Sequence, residues 1–207
     1  MAPRQQRDPE ATKDALIEAA EAIFMEKGFG NTSLSEIAKR AGITKSLIHH
    51  YFGSKQGLLR EVKTRRFMHY AAQQSEMLKK TKPSAELLRA SVAFYFDFLR
   101  RNPQIVRILA WMFLEQDQDD CFEMDRELVR QGVEKVRETQ AEGQLRSDID
   151  PRFIVFVFLG LCQHWFQQKE HFREKFGTQG LSDDLDEAYL SDMIKIFFEG
   201  ILPRQDK

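Results

Sequence analysis

The sequence predicts an all-α protein of about nine helices, with a small three-helix domain followed by a larger helical one. Two observations predict this class. Apolar residues recur at intervals of three and four along most of the 207 residues, and no stretch alternates as a half-buried strand does. Only six prolines and eleven glycines interrupt the chain, which leaves room for long helices.

The first helix has recognisable ends. Asp8 before Pro9 is a favourable N-cap and first-turn pair, and Gly28 offers a C-cap. The apolar residues between these ends fall at helical intervals: Leu16, Ala19, Ala20, Ile23 and Phe24. We therefore expect one amphipathic helix that packs this stripe against its neighbours.

Two short helices follow, joined by a tight turn. Ser33, with Glu36 three residues later, forms a capping-box pattern, and Gly42 ends the second helix within about two turns. Thr44 can cap a third helix over residues 45–52. Two short helices joined by a glycine-containing turn are the helix-turn-helix arrangement, whose second helix enters the major groove of DNA.

The pattern stays helical to the end of the chain. A fourth helix is expected from about 55 to 80, since no breaker precedes Pro83, and its length suits a connector between two domains. Five further helical stretches are predicted, at 87–99, 105–114, about 119–142, 153 to about 172, and around an apolar stripe from 190 to 202. We place the domains at 1–54 and 55–207.

Charge is distributed unevenly along the chain. The net charge is only −1, but residues 1–66 carry 12 Lys and Arg against 8 Asp and Glu, hence +4. Residues 67–207 carry 19 against 24, hence −5. A basic N-terminal region is a candidate partner for phosphates, and this agrees with the helix-turn-helix pattern.

The third helix has a polar side that can meet DNA. Its inward contacts are expected from Ile43, Phe52 and either Leu47 or Ile48, together with Ile37 and Ala38 of the second helix. Lys45, Ser46, His49 and His50 are then left to face outward. Lysine can donate to guanine, a serine hydroxyl can pair with several base edges, and an imidazole can donate or accept according to its tautomer.

Other residues are better placed for phosphates than for bases. Tyr51 and Lys55 lie at the ends of adjacent helices, while Thr32, Ser33 and Thr44 lie at helix N-termini, which favour anions. Together with Leu47, these groups make up the predicted DNA-binding residues: Thr32, Ser33, Thr44, Lys45, Ser46, Leu47, His49, His50, Tyr51 and Lys55.

Residues 15–59 resemble the N-terminal pattern of the TetR family of transcriptional regulators. The matching segments are AAEAIFMEKGF, TSLSEIAKRAG and YFGSKQGL. Leu47 stands where the family commonly has a small hydroxyl residue, and His49 where it commonly has tyrosine, so no known operator can be transferred. The resemblance implies a homodimer with DNA-binding domains at 1–54, and effector-binding and dimerisation domains at 55–207 whose small ligand usually relieves repression.

The last two helices are the expected dimer interface. The run from Phe153 to Cys162 is apolar on nearly every face, and Gly160 permits close approach of a second helix. Pairing two such helices across a two-fold axis would give a four-helix bundle. The alternative is that this run is simply the core of one subunit.

A small, largely apolar organic effector would need an aromatic cavity with a few polar anchors. Many aromatic residues of the second domain are expected to be ordinary core. The candidate pocket residues are Phe94, Phe98, Arg107, Trp111, Phe122, Gln163, His164 and Gln167.

Several other site types are not favoured. His164, Gln168 and His171 lie at helical spacing, but no carboxylate or cysteine of fitting spacing joins them, so we predict no metal and no cofactor. Two cysteines are too few for a disulfide framework. The most apolar run has ten residues against the roughly 20 of a membrane span, and no signal peptide is apparent, which favours the cytoplasm.

We therefore expect a non-enzymatic, ligand-responsive regulator that binds a palindromic double-stranded DNA operator, most simply as a repressor released by its effector. One alternative keeps the DNA-binding domain but makes the second domain a protein-interaction or architectural module without a ligand. An all-α enzyme that uses His164 and His171 is a second alternative. It is less favoured, because no nucleophile-base pattern or phosphate loop supports it.

Overall fold

The computed structural model describes residues 8–114, 123–182 and 184–203, with side chains throughout except at 111–113 and 123–125. These residues form nine α-helices and no strand, which confirms the predicted all-α class. The helices are α1 (Pro9–Lys27), α2 (Leu34–Ala41), α3 (Lys45–Phe52), α4 (Lys55–Lys80), α5 (Ala85–Arg101), α6 (Pro103–Leu114), α7 (Glu123–Ala141), α8 (Pro151–Phe176) and α9 (Leu185–Ile201).

The chain divides into two compact units, and the division falls inside α4. The N-terminal unit is Met1–Phe67 and the C-terminal unit is Met68–Lys207. Sequence analysis placed the boundary after residue 54, at the start of this helix. The structure extends the N-terminal unit because Leu58 and Val62, near the start of α4, are fully buried. These turns complete its core.

The core of the N-terminal unit is built by four helices. α2 packs against both α1 and α3, and the fully buried residues come from every one of the four: Leu16, Ala20, Ile37, Ile48, Leu58 and Val62. Ile48 is 0% exposed whereas Leu47 is partly exposed, so the structure decides which of the two packs inward.

The ends of α1 form as the sequence predicts. The Asp8 side chain accepts a hydrogen bond from the Glu10 N–H at 3.0 Å, and Pro9 occupies the first turn, where its missing N–H is harmless. At the other end the Gly28 N–H donates to the Phe24 carbonyl at 2.9 Å, with Gly28 at φ 79°. Local caps therefore set the length of the helix.

The C-terminal unit is organised around α8, which packs against α5, α6, α7 and α9. Trp165 of α8 stacks on Tyr189 of α9 with ring centroids 4.2 Å apart. The Trp165 indole N–H donates to Asp186 at 2.8 Å, so its polar edge is satisfied. Of the helices in the described part of the chain, none combines the length and the apolar character that a membrane span requires.

Candidate nucleic-acid interface

The turn between α2 and α3 depends on a glycine. Gly42 adopts the left-handed conformation, with φ 64° and ψ 34°, which residues with a side chain adopt at a cost. The Ile43 N–H donates back to the Ala38 carbonyl at 2.9 Å and so closes the end of α2. The chain then reaches Thr44, the residue before α3, within the tight turn that a helix-turn-helix requires.

A reciprocal capping box fixes the start of α2. The Ser33 hydroxyl accepts from the Glu36 N–H at 3.2 Å, and the Ser33 N–H donates to the Glu36 carboxylate at 3.0 Å. Lys27 also donates to this carboxylate. These hydrogen bonds, that from Lys27 first, lower the pKa of Glu36 to about 2. The predicted capping box is confirmed, whereas contact of Ser33 with phosphate stays a prediction.

The exposed side of α3 is polar and carries no acidic group. Ile48 holds the helix against the core, and the residues on the opposite side are exposed. We call these residues the α3 strip: Lys45, Ser46, His49 and His50. The sequence of α3, KSLIHHYF, contains no Asp or Glu, so no carboxylate of its own opposes an approaching phosphate.

Local contacts orient part of the α3 strip. His49 Nδ1 lies 3.0 Å from the carbonyl oxygen of Gly53, and the His50 ring meets the Tyr51 ring at 5.1 Å in an edge-to-face arrangement. The Thr44 and Ser46 hydroxyls pair at 3.0 Å. Thr44 occupies the N-cap position of α3 without making a side-chain cap hydrogen bond. Its hydroxyl belongs instead to the polar surface beside the α3 strip.

Two of the predicted DNA-contacting residues, Thr32 and Lys55, also hydrogen-bond to the backbone of the N-terminal unit. Thr32 is 3% exposed, and its hydroxyl donates to the Gly28 carbonyl at 2.7 Å. Lys55 Nζ donates to the carbonyls of Phe29 and Thr32 at 2.8 and 2.9 Å, and it lies 4.3 Å from the centre of the Phe29 ring. Both side chains stabilise the α1–α2 connection, and contact of Thr32 and Lys55 with phosphate stays a prediction.

Elsewhere in the N-terminal unit, many basic side chains are paired with carboxylates. Arg40 contacts Glu26, while Arg66 forms a two-point hydrogen bond with Glu21 at 2.8 and 3.0 Å. Lys45 makes no hydrogen bond or ion pair with any described residue and is exposed. The positive charge of the α3 strip is therefore less neutralised than the charge along α1 and α4.

In the C-terminal unit, some candidate pocket residues are buried or partly buried and others are exposed. Phe94 and Phe98 both stack on Tyr70, with centroids 5.4 and 4.4 Å away, and the Gln163 amide donates to the Tyr95 hydroxyl at 2.8 Å. The predicted anchors Arg107, His164 and Gln167 are exposed, which does not suit an enclosed pocket. The side chain of Trp111 and the whole of Phe122 lie outside the described residues.

Sequence analysis missed two buried polar side chains near these aromatics. Gln74 and Ser91 are each 5% exposed, and neither Gln74 Oε1 nor Ser91 Oγ has a hydrogen-bond partner among the described residues. Gln74 lies one turn from Tyr70 on α4, and Ser91 lies one turn from Tyr95 on α5. In the sequence, each of these polar residues lies four positions from a tyrosine, which places the pair on one side of a helix. This spacing is too common to identify a binding site by itself.

Possible metal ligands and a thiol also occur in the described part of the chain. No group of three or more His, Cys, Asp or Glu side chains there is arranged to hold a metal ion. Cys162 is fully buried, and burial raises the pKa of its thiol to about 12, which keeps it in the unreactive form. Cys121 lies outside the described residues.

Two family models match the chain. Residues 16–62 match the model described as bacterial regulatory proteins, tetR family, and residues 88–189 match a tetracyclin repressor-like C-terminal domain. The chain belongs to the TetR family. It is a DNA-binding transcriptional regulator, and the resemblance inferred from residues 15–59 is confirmed.

Relatives and solved structures agree with this membership. The chain is 27% identical over 177 residues to the transcriptional repressor NicS of Pseudomonas putida, covering 83% of each protein. It matches the fold of SCO4942, a transcriptional regulator of Streptomyces coelicolor, with a TM-score of 0.70, 21% identity and coverage of 94% and 99%. For SmeT, the repressor of a Stenotrophomonas maltophilia multidrug efflux pump, the TM-score is 0.68 at 20% identity, covering 95% and 93%.

Proposed function

We propose that this TetR-family regulator is a cytoplasmic, homodimeric repressor that binds a palindromic operator through α3 and releases it when a small, largely apolar effector binds. The observation that carries the proposal is the α3 strip: a polar, acid-free helix side, held outward by the fully buried Ile48. A helix with this arrangement fits the major groove, which is about as wide as a helix.

The proposed DNA contacts divide by chemistry. The α3 strip supplies base contacts, and the partly exposed Leu47 can meet a thymine methyl group. Thr44 and Tyr51 are neighbours of the strip in sequence, and Ser33 lies at the N-terminus of α2; these three residues would contact phosphates, which fix the register of the protein on the duplex. In a two-fold dimer the two copies of α3 would lie about 34–36 Å apart, one turn of DNA.

The proposed dimer forms through the last two helices. One side of α8 exposes large apolar residues in a single chain: Phe153 is 65% exposed, Phe156 73% and Val157 45%. We call these three residues the α8 strip. A Cβ at Gly160, one turn further along, would meet nothing within 4 Å, and Ile196 of α9 is 73% exposed. This exposure argues against the alternative that the run is merely the core of one subunit, and a second copy would cover it.

The proposed effector site lies near Tyr70 in the C-terminal unit. The aromatic group of Tyr70, Phe94, Tyr95 and Phe98 offers apolar surface, while Gln74 and Ser91 offer buried polar atoms that no described residue hydrogen-bonds. An unsatisfied buried polar atom is costly and can be relieved by a bound ligand. Every charged residue of this unit with a described side chain is at least partly exposed, which favours a neutral effector with hydrogen-bonding groups.

The regulator would release DNA only if the effector has a higher affinity for the conformation that cannot bind the operator than for the conformation that can. Only this difference in affinity can shift the population between the two states. An effector that binds both equally would stabilise the protein without releasing DNA.

The test is a fluorescence-anisotropy titration of the full chain against the promoter DNA that flanks its own gene, at low and at physiological salt. We expect specific, salt-dependent binding that Lys45→Ala weakens by roughly tenfold, the size of one base or phosphate contact. Lys82→Ala, which removes the same charge from the C-terminal unit, is the matched control and should bind as the unmodified protein does. A folded dimer that binds no palindromic DNA at low salt would refute the proposal.

A further inference from the structure

We infer that His49 reads an exocyclic amino group of DNA, on adenine N6 or cytosine N4, because a backbone carbonyl fixes its tautomer. The inference rests on the proposed operator binding and deepens it. It names the base chemistry that one residue of the α3 strip selects.

The hydrogen bond to Gly53 decides where the imidazole proton lies. His49 Nδ1 is 3.0 Å from the Gly53 carbonyl oxygen, and a carbonyl oxygen can only accept. Nδ1 must therefore carry the proton. A neutral imidazole has one N–H, so Nε2 is left with a lone pair and acts as an acceptor.

The end of α3 holds this arrangement in place. Gly53 is the C-cap residue, at φ 69° and ψ −50°, and its N–H donates to the His49 carbonyl at 3.0 Å. The two residues thus bond to each other twice, once through the backbone and once through the ring. Carbonyls at a helix C-terminus lack partners within the helix, which leaves the Gly53 oxygen available to the imidazole.

The exposed ring then presents an acceptor towards the groove. In the major groove only the adenine N6 and cytosine N4 amino groups donate, whereas guanine N7 and O6 and thymine O4 accept. A neutral His49 with Nδ1 protonated can hydrogen-bond only to the amino groups. Lys45, one turn earlier on the α3 strip, is a donor and has the opposite preference.

His50 offers an internal comparison. It is exposed on the same strip, and neither of its ring nitrogens hydrogen-bonds to a described residue; its ring packs edge-on against Tyr51. Both tautomers of a neutral His50 therefore remain open, and it can adapt to donors or acceptors. His49 differs because the hydrogen bond from its Nδ1 to the Gly53 carbonyl leaves its Nε2 as an acceptor.

The first experiment determines the tautomer directly. Long-range ¹H–¹⁵N correlation spectra of the full chain, recorded at pH 8, should show His49 with its proton on Nδ1. His49→Ala assigns the signals. A proton found on Nε2 would overturn the inference.

The second experiment tests the contact at the level of single atoms. Binding-site selection with the unmodified chain and with His49→Ala identifies the base pair whose preference depends on His49. Adenine at that pair is then replaced by purine, or cytosine by pyrimidin-2-one, so that only the amino group is lost. We expect the unmodified chain to lose roughly tenfold in affinity, the size of one base-edge contact. His49→Ala, already weakened, should lose nothing further.

The controls separate the possible outcomes. His50→Ala should keep the full response to the missing amino group. If loss of the amino group has no effect, or if His49→Ala alters no base preference, His49 does not read an amino group and the inference fails. If the folded, dimeric, unmodified chain selects no sequence at all, the proposed operator binding itself fails.

Discussion

The α3 strip and the α8 strip are both helix sides left uncovered in a single chain, and they differ in almost every other respect. The α3 strip is polar and acid-free, with Lys45 and two histidines exposed. The α8 strip is aromatic and aliphatic, with Phe156 73% exposed. Equal exposure thus predicts different partners: a hydrated, charged groove for one, and a second apolar protein surface for the other.

The two strips also differ in what exposure costs. Polar side chains in water are already hydrogen-bonded to water, so exposure of the α3 strip costs little free energy in the absence of DNA. Exposed apolar surface costs about 25 cal/mol for each Å² that stays in water. We therefore expect the dimer to form independently of DNA, and the complex with DNA to form only when an operator is present.

The largest effect is expected from a charge placed in the α8 strip. Phe156→Arg removes one apolar anchor from each subunit and buries two like charges across the two-fold axis. We expect the dimer dissociation constant to rise at least a hundredfold, a cost of about 3 kcal/mol or more. Analytical ultracentrifugation would measure it.

The matched control for this change is Val129→Arg on α7, which is 43% exposed outside the proposed interface. It should leave the dimer intact. A Phe156→Arg protein that stays dimeric at low concentration would show that the α8 strip is not the interface.

The next effect separates two neighbours on α3. Ile48→Ala empties a fully buried site, and we expect a loss of about 2–5 kcal/mol in the stability of the N-terminal unit. Leu47→Ala, at a partly exposed position, should cost less than about 1 kcal/mol and act mainly on operator affinity. Urea unfolding followed through signals of the N-terminal unit would measure both. A larger loss at Leu47 than at Ile48 would mean that α3 is rotated from the orientation described above.

A smaller effect is expected at the start of α2. Ser33→Ala removes the hydroxyl that accepts from the Glu36 N–H, and an N-cap of this kind contributes about 1 kcal/mol. Ser35→Ala, on an exposed serine within the same helix, is the control and should change stability by less than about 0.5 kcal/mol. Equal losses at the two serines would argue against a capping role.

The smallest effect is a pH dependence of the same cap. The pKa of Glu36 is lowered from 4.5 to about 2 in the folded chain, chiefly by the hydrogen bond from Lys27. A lowered folded-state pKa stabilises the fold above pH 4.5, and this stabilisation is lost as the pH falls from 4.5 towards 2. Comparing the stability of the unmodified chain and Glu36→Gln across this range should show a difference that shrinks on acidification. A difference that is constant with pH would contradict the assigned cause.

Local features were the part of the fold that sequence analysis recovered best. The caps at Asp8, Ser33 and Gly42 and the extent of α3 follow from residues a few positions apart, because capping and turn formation are local events. The family membership rests on the same local pattern. The predicted second domain begins at residue 55, whereas the first compact unit of the structure runs to Phe67, because the burial of the start of α4 depends on distant residues.

The burial and the hydrogen-bond partners of individual polar side chains could not be predicted from neighbouring residues. The ammonium group of Lys55, for which a phosphate contact stays a prediction, donates to the carbonyls of Phe29 and Thr32, more than twenty positions earlier in the sequence. Gln74 and Ser91, which the structure buries, were not among the candidate pocket residues. His164 was expected in a pocket and is exposed.

The sequence by itself determined the all-α class, the helix-turn-helix and the family, since periodicity, caps and a contiguous motif are properties of neighbouring residues. Only the tertiary structure decided that Ile48 rather than Leu47 faces the core, that Phe156 is left uncovered, and that Gly53 fixes the ring of His49. These outcomes depend on which atoms meet after the helices pack or end. The periodicity of the sequence predicts which side of a helix a residue lies on. Which residues it contacts on that side depends on how the other helices pack.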